Sequence, residues 1–259
     1  MKDIEVAVKI TDRCEKMCSH CCECSNPYGH SMPFDYLVKV LKNIRKNSDL
    51  VGFTGGEPVL YRDGEHDFID VINVCDKIGL LPTVMCGGTY DNKEYNHIFD
   101  NISGLRFAVS FNLFREHWKE VFLTAIEMVK RKNIVSIISI LYSRKNKNKT
   151  LKEFNKLNKK LKLDAVIDKG EITYIGRALT LKPKWVKIDL ECELENYEDY
   201  LLIDMNGTVL PCCGVIDPID IYKQGWNGHL QATQDLKMIN KKARYFCHYK
   251  CKFNKNRRK

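Results

Sequence analysis

No stretch of this 259-residue sequence approaches a membrane-spanning helix, which needs about 20 consecutive apolar residues. The N-terminus, Met1–Arg13, has no apolar signal core and no small-residue cleavage site. No internal repeat is visible. Nor is there a basic motif interleaved with aromatics, the pattern that stacks on nucleic-acid bases. These absences set aside a membrane protein and a secreted one, argue against a nucleic-acid binder, and place the chain in the cytoplasm as an expectation.

What is present is a globular composition with one oddity. Apolar residues make up 44% and aromatics 10%, enough for a substantial core. Lys and Arg number 42 against 33 Asp and Glu, a net charge of +9. Much of that charge sits in the Lys/Asn-rich stretch Ser143–Lys162 and in the C-terminal tail. Such runs read as solvated surface. The oddity is twelve cysteines. Secreted disulfide scaffolds are usually small, and a reducing compartment keeps thiols free, so metal binding becomes the leading explanation. Ten of the twelve fall into two groups: Cys14, Cys18, Cys21, Cys22 and Cys24, then Cys192, Cys212, Cys213, Cys247 and Cys251. Cys75 lies on an apolar helical stripe and reads as a small buried hydrophobe.

From Glu5 to about Arg177, strand and helix signals alternate. Strands are expected at Glu5–Ile10, Leu50–Phe53, Pro82–Cys86, Leu105–Phe111, Ile134–Tyr142 and Ala165–Tyr174. The fifth is rich in β-branched residues, as a buried parallel strand should be. Five helical patterns intervene. One has Phe34, Leu37, Val38, Leu41 and Ile44 at i, i+3, i+4, i+7 spacing; another has Trp118, Val121, Phe122, Ala125 and Val129; a third is the Lys-rich Thr150–Leu161. The expected fold is α/β with a parallel sheet. Six units are too few for a closed eight-stranded barrel, so a partial (β/α)6 TIM-like barrel is expected over residues 1–180. Beyond it, Asn206–Gly207 between two apolar segments predicts a β-hairpin, and a helix is expected at about Ala232–Tyr245. Residues 181–259 then form a small second domain that a metal would help to staple.

Cys14-x3-Cys18-x2-Cys21 directly follows the first strand. Three thiolates on one tight loop can hold three irons of a [4Fe–4S] cluster and leave the fourth open. A zinc site completed by His20 or Cys24 is the alternative. The second strand ends in Thr54-Gly55-Gly56-Glu57-Pro58, where two glycines allow close backbone approach and Glu57 offers an acceptor for an ammonium. Together, in this order, the two motifs resemble the radical S-adenosylmethionine (SAM) superfamily, whose signature is CxxxCxxC followed by GGE. The resemblance implies that SAM chelates the open iron and yields a 5′-deoxyadenosyl radical that abstracts a substrate hydrogen. It implies that Gly55, Gly56 and Glu57 hold the SAM amino end. It further implies a ribose contact for Ser110, a carboxylate contact for Arg177 in a GRA element, and an adenine neighbour in His20. An external electron donor such as flavodoxin or ferredoxin is implied too.

Cys192, fourteen residues, Gly207, four residues and Cys212 resemble the Cx9–15Gx4C signature of the SPASM and twitch families, which bind auxiliary Fe–S clusters. Cys247-x3-Cys251 would complete a four-thiolate set with Cys192 and Cys212 for one auxiliary [4Fe–4S] cluster, so the shorter twitch form is the better match. A four-Cys zinc site is the alternative. Adjacent Cys212 and Cys213 on an extended segment point opposite ways, which leaves one thiol over. The blocks CEKMCSHCCECSNP, GFTGGEP and PCCG resemble the epipeptide-type radical SAM peptide epimerases. On that pattern Cys212 is the cluster ligand and Cys213 returns a hydrogen atom to a substrate Cα, converting L to D residues in a ribosomal peptide. Peptide oxidation or cross-linking, or dehydrogenation of a small molecule, is the competing outcome. The first strand begins close to Met1, so a peptide would be recognised by the barrel or by a separate protein.

Overall fold

The structure, a computed structural model, describes residues 5–21, 25–87, 93–102, 105–131, 135–163, 165–171, 200–205, 207 and 209–210. Cys22, Cys24, Arg177, Cys192, Cys212, Cys213, Cys247 and Cys251 lie outside them, as does the helix expected near 232–245.

Strands and helices alternate as the periodicity requires. β1 (Glu5–Thr11) is followed by α1 (Phe34–Arg45) and β2 (Leu50–Gly55). A small hairpin that the sequence did not signal, β3 (Arg62–Asp63) with β4 (His66–Asp67), leads into α2 (Phe68–Ile78). Then come β5 (Leu81–Cys86), α3 (Lys93–Asn101), β6 (Arg106–Phe111), α4 (Trp118–Arg131), β7 (Val135–Tyr142), α5 (Lys147–Leu161) and β8 (Val166–Glu171). Helix starts are locally specified. Asp67 caps α2 in a reciprocal capping box with Asp70, an arrangement that contributes about 1 kcal/mol. Asp63 accepts the Phe34 amide at 2.7 Å and so fixes the first turn of α1.

The main sheet has the order β10-β9-β1-β2-β5-β6-β7-β8. Every neighbouring pair is parallel except the last hairpin, β9 (Tyr200–Ile203) with β10 (Val209–Leu210). The hairpin expected around Asn206–Gly207 is thus present, with Ile203 opposite Val209. Its first strand extends the main sheet in parallel beside β1, pairing Val6 with Leu201 and Val8 with Ile203. A sequence pattern does not show such a pairing, because the partners are almost two hundred residues apart.

The two faces of the sheet differ. On one, Val6, Val8 and Ile10 of β1 are at most 1% exposed, and Phe53 and Phe111 are fully buried. Phe53 meets Phe68 of α2 edge-on, and Phe111 meets Trp118, Phe122 and Phe154 of α4 and α5 with centroids 4.9–5.4 Å apart. That face is the helix-covered core. Side chains alternate along a strand, and parallel register partners share a face. The opposite face therefore carries Ala7, Lys9 and Thr11, aligned with Gly52 and Thr54, then Thr83, Ala108, Ser110 and Ser139. Toward β1 and β2 it is small and polar, while Met85, Ile137 and Leu141 add apolar side chains on the strands further along. Because β1, β2, β5 and β6 are parallel, their carboxyl ends share one rim, where ligands of open α/β sheets bind.

Candidate active site

Four rim segments meet: the loop after β1, the turn after β2, Gly87 after β5, and residues 112–117 after β6. The loop after β1 carries Cys14, Cys18 and Cys21. It is pinned to its own return strand: the Asp12 amide donates to His30 O at 2.8 Å, and the Cys14 amide donates to Asn26 O at 2.9 Å. Cys18 and Cys21 are joined by a tight turn in which the Cys21 amide donates to Cys18 O at 3.1 Å. None of the three forms a disulfide, and all are half-buried. Burial raises the Cys14 thiol above its ordinary range, and the nearby Glu57 carboxylate adds to that. Cys75 behaves as expected of a packing residue: fully buried on α2, its pKa is pushed up to about 12 by burial and then by Asp76. Cys86 is likewise buried.

The two motifs separated by some thirty residues are joined by main-chain hydrogen bonds. The Gly56 amide donates to Thr11 O at 2.6 Å, and the Glu57 amide donates to Arg13 O at 2.8 Å. The approach explains both glycines. Gly55 has φ +126, and a Cβ there would lie 2.2 Å from Thr11 O. A Cβ on Gly56 would lie 2.2 Å from Arg13 O. Neither contact is possible for a side-chain-bearing residue without moving backbone.

Glu57 is 2% exposed. Its Oε2 accepts from Lys16 Nζ at 2.7 Å and from the Gly87 amide at 3.0 Å. A buried lone carboxylate costs several kcal/mol, and this cation with its two donors offsets that. Burial is the largest influence on the Lys16 ammonium and pulls it down, but the charge and hydrogen bond of Glu57 together with Cys86 turn the net shift upward. Glu57 Oε1 has no hydrogen-bond partner among the described residues. An unmet buried acceptor costs about 1–3 kcal/mol, so a ligand donor there would be favoured. Arg115 donates from Nη1 to Gly87 O, and its Nε is buried without a partner among the described residues.

Ser110 sits at the rim end of β6, half-buried, on the polar face beside Ser139. Its Oγ accepts from Asn112 Nδ2 at 3.1 Å, and Asn112, 3% exposed, turns the following loop by accepting the Phe114 amide at 3.3 Å. The His20 ring stacks on Phe114, centroids 5.0 Å apart, and Ser19 Oγ donates to Phe114 O at 3.4 Å. These contacts tie the cysteine loop to the loop after β6. The structure therefore brings Cys14, Cys18, Cys21, Gly55, Gly56, Glu57 and Ser110 to one rim. Among the described residues, no three His, Cys, Asp or Glu side chains are gathered tightly enough for a single metal ion. Thiolates of a [4Fe–4S] cluster each bind a different iron and stand further apart than the ligands of one ion. Lys16, Gly87, Asn112 and Arg115 escaped sequence reasoning. Only Lys16, inside the cysteine motif, carried a signal that could have marked it.

The architecture defines an open, mostly parallel α/β sheet with its candidate site on the carboxyl rim. That fold is shared with Streptococcus suis SuiB at TM-score 0.56 and 14% identity, over 92% of this chain and 65% of SuiB. This chain thus spans just under two thirds of SuiB. SuiB has also been solved bound to S-adenosylmethionine, and it matches in that form at TM-score 0.54 and 13% identity, with the same coverage of both chains. Native anSMEcpe with bound AdoMet matches at TM-score 0.62 and 14% identity, over 93% of this chain and 82% of that one. Native anSMEcpe with bound AdoMet and Kp18Cys peptide matches at the same score and identity, over 92% and 82%. No protein-family model and no curated protein sequence matches the chain. Among the described residues, no helix is long and apolar enough to cross a membrane.

Proposed function

We propose that this chain is a radical SAM enzyme that modifies a ribosomally made peptide, and that its product is a D-residue formed by Cα epimerisation. The observation that carries the first part is the junction of the cysteine loop with Gly55-Gly56-Glu57, which presents a buried carboxylate oxygen awaiting a donor. The shared fold supports it, since both SuiB and anSMEcpe have been solved with S-adenosylmethionine bound, and anSMEcpe with a peptide as well.

The residues present fit the cofactors. Cys14, Cys18 and Cys21 would hold a [4Fe–4S] cluster with one open iron. When reduced and loaded with SAM, that cluster supplies a carbon radical able to take a hydrogen atom. Glu57 Oε1 would accept the SAM ammonium, and the close backbone approach at Gly55 and Gly56 holds that carboxylate in place. Ser110, oriented by Asn112, would accept or donate at a ribose hydroxyl. A peptide would lie along the face of the sheet that carries Lys9, Thr11 and Ser110. Cys192, Cys212, Cys247 and Cys251 would hold one auxiliary [4Fe–4S] cluster in a unit covering 181–259. Cys213 would return a hydrogen atom to the face of Cα opposite the abstraction, and the resulting thiyl radical would be restored to the thiol by one further electron from the external donor and a proton from solvent. An external flavodoxin or ferredoxin would supply the electron. These C-terminal roles rest on the resemblance of the PCCG and Cx9–15Gx4C elements.

The test is turnover in D2O with SAM, reductant and a candidate peptide, read by mass spectrometry and chiral analysis. Epimerisation from an exchangeable thiol adds one deuterium at Cα and gives a D-residue. Loss of hydrogens would instead establish oxidation or cross-linking. A Cys213→Ala variant that still gives D-residues would remove the donor role.

A further inference from the structure

One helix of the repeat carries charge of a single sign. α5 holds six lysines and one acid, Glu153, and it buries Thr150, Phe154 and Leu157 on its inner side. On the outer side Lys149, Lys152, Lys156 and Lys159 follow at steps of three and four. They therefore form one exposed stripe, about 15 Å long at 1.5 Å per residue. Lys145 before the helix, and Lys160 and Lys162 at its end, flank the stripe and are exposed too. Among the described residues none of these lysines enters an ion pair. The other helices are mixed in sign. Arg45 of α1 pairs with Asp49, and α4 exposes Lys119 and Lys130 with Glu120 and Glu127. Like charges three and four residues apart repel each other. The first turn of α5 also holds no acid, so its lysines add to the positive end of the helix dipole. The stripe lowers the stability of its own helix unless an anion meets it.

The position of the stripe narrows what that anion is. β7 ends at the rim at Tyr142, beside the strand that carries Ser110, and Ser143–Asn146 turn the chain into α5, with the Ser143 amide donating to Asn146 Oδ1 at 2.6 Å. The stripe thus starts at the rim and runs away from it. The cysteine loop follows β1, four strands from β7, or about 19 Å along the sheet. An electron carrier has to approach that loop, so the stripe is misplaced for one. No aromatic side chain stands on the stripe, which disfavours a stacked nucleic-acid strand. An extended peptide sets alternate side chains on one face about 6.6 Å apart, close to the rise of about 4.5–6 Å between successive lysines of the stripe. We propose that the lysine stripe of α5 docks an acidic segment of the peptide substrate and leads the chain over Ser143–Asn146 to the rim. The proposal rests on the peptide-modifying function proposed above, and it places recognition of the unreacting part of the peptide on the barrel itself.

The test uses the full chain with its clusters reconstituted anaerobically. Its probe is a fluorescently labelled peptide of alternating Glu and Gly, and binding is followed by anisotropy. Wild type should bind the probe, less tightly as salt is added. Lys149→Gln/Lys152→Gln/Lys156→Gln should weaken binding about tenfold or more, because several exposed pairs act together where one alone is weak. Gln is close to Lys in helix propensity, so the far-ultraviolet circular dichroism should not change. Lys39→Gln/Lys42→Gln/Lys46→Gln, at exposed positions of α1 and its C-cap, removes the same charge and should leave binding within about twofold. A peptide converted in the D2O assay should displace the probe. Absence of binding by wild type, equal losses in the two variants, or a single-stranded oligonucleotide that binds the stripe more tightly than the probe would overturn the docking role. So would a converted peptide that fails to displace the probe. A chain that binds the probe yet holds no iron and converts no peptide would overturn the function beneath the proposal, and the substrate role with it.

Discussion

The two faces of the parallel sheet are built from the same strands and yet obey different rules. The helix-covered face is aliphatic and aromatic. Phe53, Phe68, Phe111, Phe122 and Phe154 are at most 1% exposed and pack edge-on. The opposite face and its rim bury Lys9, Thr11, Glu57 and Asn112, each of which needs a partner to be tolerated. Lys9 finds Asp12 at 2.8 Å and Asp204 at 3.6 Å; Glu57 finds Lys16. One face spends its residues on stability. The other holds polar groups that a well-packed apolar set could replace, and a protein retains such groups where they act on something else.

Substitutions on the two faces should therefore separate stability from chemistry. The largest effect is expected from Cys18→Ala, which removes one of three thiolates. Deoxyadenosine formation from SAM should fall to background while the iron-free chain unfolds at nearly the wild-type denaturant midpoint. Phe111→Ala should do the reverse, costing about 3–5 kcal/mol in equilibrium denaturation because three aromatic partners lose their contact around one cavity. Smaller is Glu57→Gln, which keeps shape but drops the charge. SAM binding should weaken about tenfold to a hundredfold, since a hydrogen bond to a charged group contributes roughly 1.5–3 kcal/mol. Smallest is Ser110→Ala, with a several-fold rise in the SAM dissociation constant and no change in melting temperature beyond a degree or two, because one neutral hydrogen bond contributes roughly 0.5–1.5 kcal/mol. A Ser110→Ala variant as damaged in stability as Phe111→Ala would break the contrast between the faces.

The helix-covered face was the legible one. Period-two and period-3.6 patterns located all six strands of the α/β repeat to within a few residues, and the Lys-rich helix started one turn earlier than expected. Those patterns come from burial itself, so they are local and repeated. The cysteine triplet and Gly55-Gly56-Glu57 were legible because spacing and glycine are local signals too. What stayed hidden depends on pairing across the chain. Lys16 reaches Glu57 across 41 positions, and Arg115 reaches Gly87 across 28. Arg115 in its loop does not differ, as a sequence, from a solvated surface cation, and Lys16 is marked only by its place inside the cysteine motif. The same holds for Tyr200–Ile203, whose apolar run fitted a separate hairpin as well as an added strand beside β1.

The most direct test of the central claim is the iron and sulfide content of the anaerobically purified chain, measured beside its Cys14→Ala/Cys18→Ala/Cys21→Ala triple variant. Two [4Fe–4S] clusters predict about eight irons and about eight sulfides per wild-type chain, and about half of each in the variant. A colourless wild-type protein, holding zinc or no metal, would contradict it.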